Sequence, residues 1–269
     1  MTSTTAATTV EAPSLETMLG ALLRADLVVL TKNRMRMLLS LMLPLIILTS
    51  TSSSKATRSF GGAEFILGLA ITAGIAGTSI MGYAPMVARD RESGVFQRLR
   101  VSPAPTWAVM GSRLSVQMVS NFVIALAVLV LGDNIHHLSL SIESYVLVLL
   151  VSILASAVFL SVAQALVGLV KSADTVQAFG RLLYIGLVIV GLFGASGGLG
   201  GFWDTVSKWT PVGVLMNVFA GVVGVGTFDS RDWLSLLACG GYVVVLTTLG
   251  IYFFRFDSQQ EDNPMNTST

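Results

Sequence analysis

Charged residues are scarce in this chain, and that scarcity excludes most classes of soluble protein. Asp, Glu, Lys and Arg make up 12% of the residues and hydrophobic residues 53%, and the mean hydropathy is +0.77. An ordinary soluble domain carries about twice that share of charge. The composition therefore predicts an integral membrane protein.

The small excess of basic residues and the single cysteine narrow the possible functions further. The 16 Lys and Arg residues barely exceed the 15 Asp and Glu residues, for a net charge of +1. A surface that binds nucleic-acid phosphates needs a basic excess, so a general nucleic-acid role is excluded. The single cysteine, Cys239, lies in an apolar run and cannot form an internal disulfide. We expect it to be a buried thiol, which indicates nothing about the redox compartment.

The motifs of a chemical site are also missing. No G-x-x-x-x-G-K-[ST] sequence occurs, so nucleotide binding through a phosphate loop is not expected. The glycine-rich stretch GASGGLGG, residues 194–201, follows a predicted membrane helix rather than a strand, and we interpret it as a helix terminator. His136 and His137 beside Asp133 are interpreted as part of an external loop. No catalytic, cofactor-binding or metal-binding residue is predicted, and the chain is not expected to be an enzyme.

Apolar runs, by contrast, are abundant. A helix needs about 20 mostly apolar residues to cross a bilayer. The sequence predicts an all-α polytopic membrane protein with a single transmembrane domain over residues 14–256 and disordered polar tails at 1–13 and 257–269. Its six predicted spans are 37–51, 65–87, 107–131, 145–170, 182–199 and 233–254.

The basic residues fall mainly on one side of these spans. Six spans place both termini on the same side, and Lys and Arg near span ends are retained in the cytoplasm. We therefore expect a multi-pass protein of the cell membrane with both termini in the cytoplasm. The predicted cytoplasmic side holds Arg24, Lys32, Arg34, Arg36, Arg89, Arg91, Arg98, Arg100, Arg113, Lys171, Arg181 and Arg255, and the other side holds Lys55, Arg58, Lys208 and Arg231.

An amphipathic helix is predicted before the first span. Ser14 is a suitable N-cap, and apolar residues come after it at near-helical spacing, among them Leu15, Met18, Leu22 and Val29. Such a helix lies along the cytoplasmic membrane interface or packs on the protein's own surface. Both interpretations are open.

The charged stretch ARDRESGVFQRLRVSPAP, residues 88–105, separates the second and third spans. It is too short for a domain but long enough for a short helix and two turns, with Gly94 and Pro103 as breakers. From these residues alone the stretch is either a solvated loop that obeys the positive-inside rule or a short docking helix.

The order of Asp90, Arg91, Glu92 and Gly94, followed by a basic LR-x-SP turn after the second of six spans, resembles the coupling-helix region of ABC-2-type permeases. These are the membrane subunits of ATP-binding-cassette exporters, and in that family the segment docks on the nucleotide-binding subunit. The resemblance covers nearly the whole chain. It includes TPVGVLMNVFAGVVG, residues 210–224, within an expected external re-entrant segment at 200–230.

The resemblance implies a function and a set of site residues. It implies export of a hydrophobic or amphipathic substrate, such as a drug, antibiotic or lipid, as in efflux and drug resistance. ATP and Mg would be bound by a separate nucleotide-binding subunit, and a second permease copy or a paralogue would complete a dimer. The coupling residues carried over are Asp90, Arg91, Glu92, Gly94, Arg98, Leu99, Arg100, Ser102 and Pro103. Asp90 stands where many relatives have Glu, which shortens the reach of that carboxylate.

Four amides lie within apolar runs: Gln117, Asn121, Gln164 and Asn217. Each either hydrogen-bonds a neighbouring helix or lines a transport pathway. Three rival functions are an ion-coupled secondary transporter, a permease for a lipid-linked glycan, and an intramembrane enzyme or scaffold. Every Asp and Glu falls near a predicted span end or in a loop, which weighs against ion coupling.

Overall fold

The helices account for nearly all of the chain that can be described. A computed structural model describes residues 15–32, 34–53, 57, 62–95, 106–195, 207–223 and 230–253, and no β-strand occurs among them. The predicted all-α class is confirmed for these residues. The helices are α1 (Leu15–Lys32), α2 (Arg34–Ser50), α3 (Ala63–Ala76), a π-helix (Gly77–Tyr83), α4 (Ala84–Glu92), α5 (Thr106–His136), α6 (Ile142–Leu169), α7 (Ala173–Ala195), α8 (Pro211–Val223) and α9 (Ser230–Phe253).

Within the residues that the structure describes, five helical segments are long and apolar enough to cross a membrane, and they match the predicted spans two to six. The predicted first span corresponds to α2, whose apolar part, Ser40–Ser50, is shorter. A sixth crossing therefore stays a prediction. The five segments are Ala63–Glu92, Ala108–His136, Ile142–Leu169, Ala173–Phe193 and Trp233–Phe253.

Helix α7 starts at Ala173, well before the predicted start of the fifth span at residue 182. The Ser172 hydroxyl accepts a hydrogen bond from the Thr175 backbone N–H at 3.1 Å, as an N-cap residue does. Asp174 lies in the first turn, where a carboxylate favours the helix dipole. These polar residues interrupt the apolar pattern at the point where the helix begins.

Helix α3, the π-helix and α4 form one continuous helix, Ala63–Glu92, at the centre of the bundle. Every residue from Ile66 to Ala76 is buried, because α3 is apolar on all sides and contacts α2, α5, α6, α7 and α8. The π-helix lies directly before Pro85. Proline has no N–H to donate, and its ring crowds the preceding helical turn. The wider turn of a π-helix relieves this crowding.

Helix α8 is short and buried. Its 13 residues span about 20 Å, less than the hydrocarbon core. Thr210 accepts a hydrogen bond from the Gly213 N–H at 3.2 Å, and Pro211 occupies the first turn. A Cβ at Gly213 would lie 1.9 Å from the Ser207 carbonyl oxygen, so glycine is required there. The apolar stretch predicted as re-entrant is thus a short helix, and its relation to the membrane stays a prediction.

The remaining helices pack around this centre. Helix α1 lies against α5, and α6 and α9 form the most extensive helix contact in the described chain. We use "Glu92 end" for the end of the bundle where α4 and α6 finish and α7 begins. The "His136 end" is the opposite end, where α5 finishes and α6 begins.

Candidate functional site

The Glu92 end carries the first half of the predicted coupling stretch. Asp90 on α4 forms an ion pair with Arg113 on α5, and both side chains are mostly buried. One residue earlier on α5, the Ser112 hydroxyl donates to the Asp26 carboxylate on α1 at 2.8 Å. The two contacts tie α1, α4 and α5 together at this end.

Arg91 is buried, with 8% of its surface exposed, and it caps the end of α6. Its guanidinium donates to the backbone carbonyl oxygens of Val167 at 2.7 Å, Val170 at 2.7 Å and Lys171 at 2.6 Å. The last carbonyls of a helix have no partner within the helix and carry partial negative charge, so a cation stabilises them. Arg91 therefore fixes the end of α4 to the end of α6.

Glu92 and Arg89 bind the first turns of α7. A Glu92 carboxylate oxygen accepts the backbone N–H of Ala173 at 2.6 Å. This contact places negative charge at the start of a helix, where it is favourable. Arg89 donates to the side-chain carbonyl oxygen of Gln177 at 2.8 Å. Asp90, Arg91 and Glu92, together called the clamp, thus join α4 to α5, α6 and α7.

Gly94 ends the helical segment. Its φ of 70° lies in the left-handed region that favours glycine, and its N–H donates to the Arg91 carbonyl oxygen at 3.2 Å. The structure therefore brings the entry half of the predicted coupling residues together. The exit half, Arg98, Leu99, Arg100, Ser102 and Pro103, lies outside the described residues, and the docking role of the whole set stays a prediction.

A second polar cluster lies midway along the bundle. The Asn121 side-chain oxygen accepts hydrogen bonds from Thr78 and from Gln117, at 2.5 and 3.1 Å. The Asn121 amide nitrogen donates to the Ser79 hydroxyl at 3.1 Å. All four side chains are buried. These four residues, called the amide network, connect the π-helix to α5.

The amide network lies deep in the bundle. Thr78 is near the middle of the continuous helix Ala63–Glu92, which is about 45 Å long at 1.5 Å per residue. Asn121 is near the middle of α5. Buried amides and hydroxyls at this depth are stabilised by hydrogen bonds between helices. The interhelix interpretation of Gln117 and Asn121 agrees with this geometry.

Two tyrosines make further contacts around the π-helix. Gln164 on α6 donates to the hydroxyl of Tyr83 at 3.0 Å. The hydroxyl of Tyr184 on α7 donates to the Ala73 carbonyl oxygen at 3.1 Å. The π-helix region is therefore hydrogen-bonded to α5, α6 and α7. Asn217, the fourth predicted amide, is exposed on α8 and lies apart from these contacts.

Several residues of these sites are not singled out by the sequence pattern. Thr78, Ser79, Tyr83 and Tyr184 stand there only as parts of apolar spans, and Gln177 as part of a loop. A usable signal is the pairing of hydroxyls with nearby glycines in GLAITAGIAGTSIMGY, residues 68–83. Small residues allow close helix approach, which brings such hydroxyls within reach of a neighbouring amide.

Among the residues that the structure describes, no group of three or more His, Cys, Asp or Glu side chains is arranged to hold a metal ion. The contacts of the two sites are hydrogen bonds and an ion pair between helices. The clamp joins helix ends to one another, and the amide network connects the π-helix to α5 midway along the bundle.

Comparison with protein-family models gives a match. The model of a family described as ABC-2 family transporter protein matches residues 4–252. None of the curated proteins compared with the chain matches it.

Proposed function

Because this chain belongs to the ABC-2 family of transporter proteins, we propose that it is the permease subunit of an ATP-binding-cassette exporter. It moves a hydrophobic or amphipathic substrate, such as a drug, an antibiotic or a lipid, out across the cell membrane. A separate nucleotide-binding subunit hydrolyses ATP and docks on residues 88–105. Two copies of the chain, or this chain and a paralogue, form the pathway.

The clamp is the observation that carries this proposal. It lies directly before residues 96–105, on the same segment that the proposed subunit contacts. A push on that segment reaches α4 first, and Asp90, Arg91 and Glu92 join α4 to three other helices. A loop that only obeyed the positive-inside rule would need no such set of contacts with three other helices.

The N-terminal helix takes part in the same movement. The hydrogen bond from Ser112 to Asp26 connects α1 to α5, next to the Asp90–Arg113 ion pair. Closure of two ATP-binding subunits would push α1 and α4 together, tilt the helices attached to them and open the pathway outward. A swing from 1:99 to 99:1 between two conformations needs about 10⁴-fold preferential binding of one of them, which ATP-driven dimer closure must provide.

The ion-coupled alternative receives no comparable support. Such transporters place ionisable side chains near the bilayer midplane. The buried polar residues that the structure describes along the helices, the amide network among them, are uncharged, and the buried charge, Arg91, lies at the Glu92 end. A lipid-linked glycan as the exported substrate fits the same architecture and is an alternative cargo.

Copurification from detergent-solubilised membranes tests the docking claim. With an affinity tag on the C-terminal tail, the wild-type chain is expected to bring down a soluble ATPase, and the variant Arg98→Glu/Arg100→Glu is expected to lose it. The matched control is Lys55→Glu/Arg58→Glu, which reverses two charges in a loop predicted on the opposite side and should keep the ATPase. Equal recovery from all three chains would contradict docking on residues 88–105.

A second variant separates docking from transmission. Arg91→Met removes the cap on α6 without touching residues 96–105, so the ATPase should still copurify while ATP-dependent export falls by at least about tenfold, which is about 1.4 kcal/mol. Export at the wild-type rate by folded Arg91→Met protein would show that the clamp does not transmit force.

A further inference from the structure

We propose that Arg89 and Arg181, with Gln177 between them, bind the anionic headgroup of a membrane phospholipid on the outer surface of the α4–α7 pair. These three residues are called the headgroup site. The proposal goes beyond transport and needs no ATPase, because it concerns how the bundle meets the bilayer.

A contact between two helices brings Arg89 to Gln177, and Arg181 lies on the same face of α7 as Gln177. Arg89 is exposed near the end of α4 and donates to the Gln177 side chain at 2.8 Å. Arg181 is exposed on α7, four residues after Gln177, and therefore about one turn of 5.4 Å further along the same face. Arg89 thus contacts the Gln177 amide, and Arg181 lies about one helical turn away from Gln177.

Neither arginine is neutralised by a carboxylate. The ion pair found among the described residues is that of Arg113 with Asp90, and neither Arg89 nor Arg181 takes part in it. On α7 the nearest acidic residue is Asp174, two turns from Arg181 towards the helix start. Asp174 is also three residues from Gln177, and on α4 Asp90 binds Arg113 while Glu92 binds the Ala173 N–H. Arg89 and Arg181 themselves are both cations, which favours the binding of an anion between them.

The position of Arg181 within a membrane-crossing segment favours a membrane lipid as the source of this anion. Arg181 is eight residues beyond Ala173, about 12 Å along the helix, and lies within the segment Ala173–Phe193 that is apolar enough to cross a bilayer. An exposed arginine in such a segment is costly unless its guanidinium reaches the headgroup layer or an anion there. Phosphate suits the guanidinium particularly well, because it accepts paired hydrogen bonds.

The surface around the headgroup site suits a lipid rather than a soluble anion. Ile185 and Ile189 continue along α7 from Arg181 and are exposed, so they can contact acyl chains. Behind them α7 lies against the π-helix so closely that a Cβ at Gly180 would be 3.2 Å from the Ile80 carbonyl oxygen. The two helices are therefore in close contact at that crossing, and the exposed face of α7 that carries Arg181 lies on the outer surface of the pair.

Native mass spectrometry of the purified full-length chain tests the site. The chain in detergent is titrated with phosphatidylglycerol or with phosphatidylcholine, and the number of retained lipids is counted. Wild type is expected to prefer phosphatidylglycerol, and Arg181→Gln is expected to bind it about tenfold more weakly, as the loss of a charge-assisted phosphate contact implies. The matched control is Lys171→Gln, which removes an exposed cation at the same end of the bundle and should leave the preference unchanged.

The lipid titrations distinguish a specific headgroup site from diffuse electrostatic attraction. Equal affinity of wild type for both lipids, or an equal loss in Arg181→Gln and Lys171→Gln, would overturn the proposal in favour of diffuse attraction. Should Arg181→Gln fold poorly, Arg89→Gln removes the other guanidinium and is expected to lower the affinity for phosphatidylglycerol by a similar factor. Retained preference in folded Arg89→Gln would count equally against the site. Because no ATPase is present, failure here leaves the docking proposal intact, and the reverse also holds.

Discussion

Asn121 and Asn217 carry the same side chain in opposite environments. Asn121 has no exposed surface and exchanges hydrogen bonds with Thr78, Ser79 and Gln117. Asn217 lies exposed on α8. An amide buried at mid-depth is tolerated only when its hydrogen bonds are made, whereas an exposed amide has other partners available. The two residues therefore form a natural comparison for the role of the amide network.

Replacing Asn121 with Ala should destabilise the chain, and replacing Asn217 with Ala should not. Hydrogen bonds between membrane helices average about 0.6 kcal/mol, so loss of the Asn121 contacts is expected to cost about 1–2 kcal/mol. The measurement is the midpoint of thermal unfolding in detergent, with Asn217→Ala as the control. A lower midpoint for Asn217→Ala than for Asn121→Ala would mean that α8 rather than the amide network holds these helices together.

At the scale of helices, glycine sets how closely α6 and α9 approach. A Cβ at Gly168 would lie 2.7 Å from the Gly250 carbonyl oxygen, and a Cβ at Gly250 would lie 2.9 Å from the Gln164 carbonyl carbon. Both distances involve backbone atoms, which cannot move aside as a flexible side chain can. The two helices are therefore in backbone contact at this crossing, next to the Gln164 amide that binds Tyr83.

Gly250→Ala should separate α6 from α9, while Gly240→Ala on the same helix should be tolerated. Nothing lies within 4 Å of a Cβ at Gly240. Forcing an extra methyl group into a packed contact costs about 1–3 kcal/mol, which the thermal unfolding midpoint would report. A Gly240→Ala chain less stable than Gly250→Ala would contradict the close crossing. Replacement of glycine by alanine also favours the helix itself, so the difference between the two variants is the informative quantity.

Helices are easier to predict from the sequence than the contacts between them. Apolar length alone locates five crossing segments, because the bilayer imposes a minimum length on any helix that spans it. The predicted start of α7 is wrong since Gln177 and Arg181 interrupt the apolar pattern. The contacts of the clamp could not be predicted from the sequence for another reason. Arg91 and Val167 are 76 residues apart, and no local sequence pattern indicates a contact over that separation.

The contacts of the π-helix likewise could not be predicted from the sequence. Glycines in residues 68–83 indicate close packing, but which helix packs there depends on the whole bundle. The stretch 88–105 is recognisable from its residues and from its place between two spans. The burial of Arg91, by contrast, is visible only in three dimensions, because an arginine after an apolar span is ordinarily expected to face water.

For the molecule as a whole, the sidedness of the bundle decides which function is possible. Twelve of the 16 basic residues fall on the side predicted to be cytoplasmic, which also holds the clamp. A cytoplasmic ATPase can reach residues 88–105 only if this assignment is correct. The described chain offers two exposed serines at opposite ends, Ser93 beyond the clamp and Ser139 between α5 and α6.

Cysteine labelling of these two serines measures the sidedness directly. The single native thiol, Cys239, is buried, so a Cys239→Ala background removes the residual signal at small structural cost. In intact cells a membrane-impermeant maleimide is expected to label Ser139→Cys and to leave Ser93→Cys unlabelled, whereas permeabilised cells should show both. The opposite pattern would place the clamp outside the cell, where no ATP-driven subunit operates, and the exporter proposal would then fail even though the family assignment and the helical architecture remained unchanged.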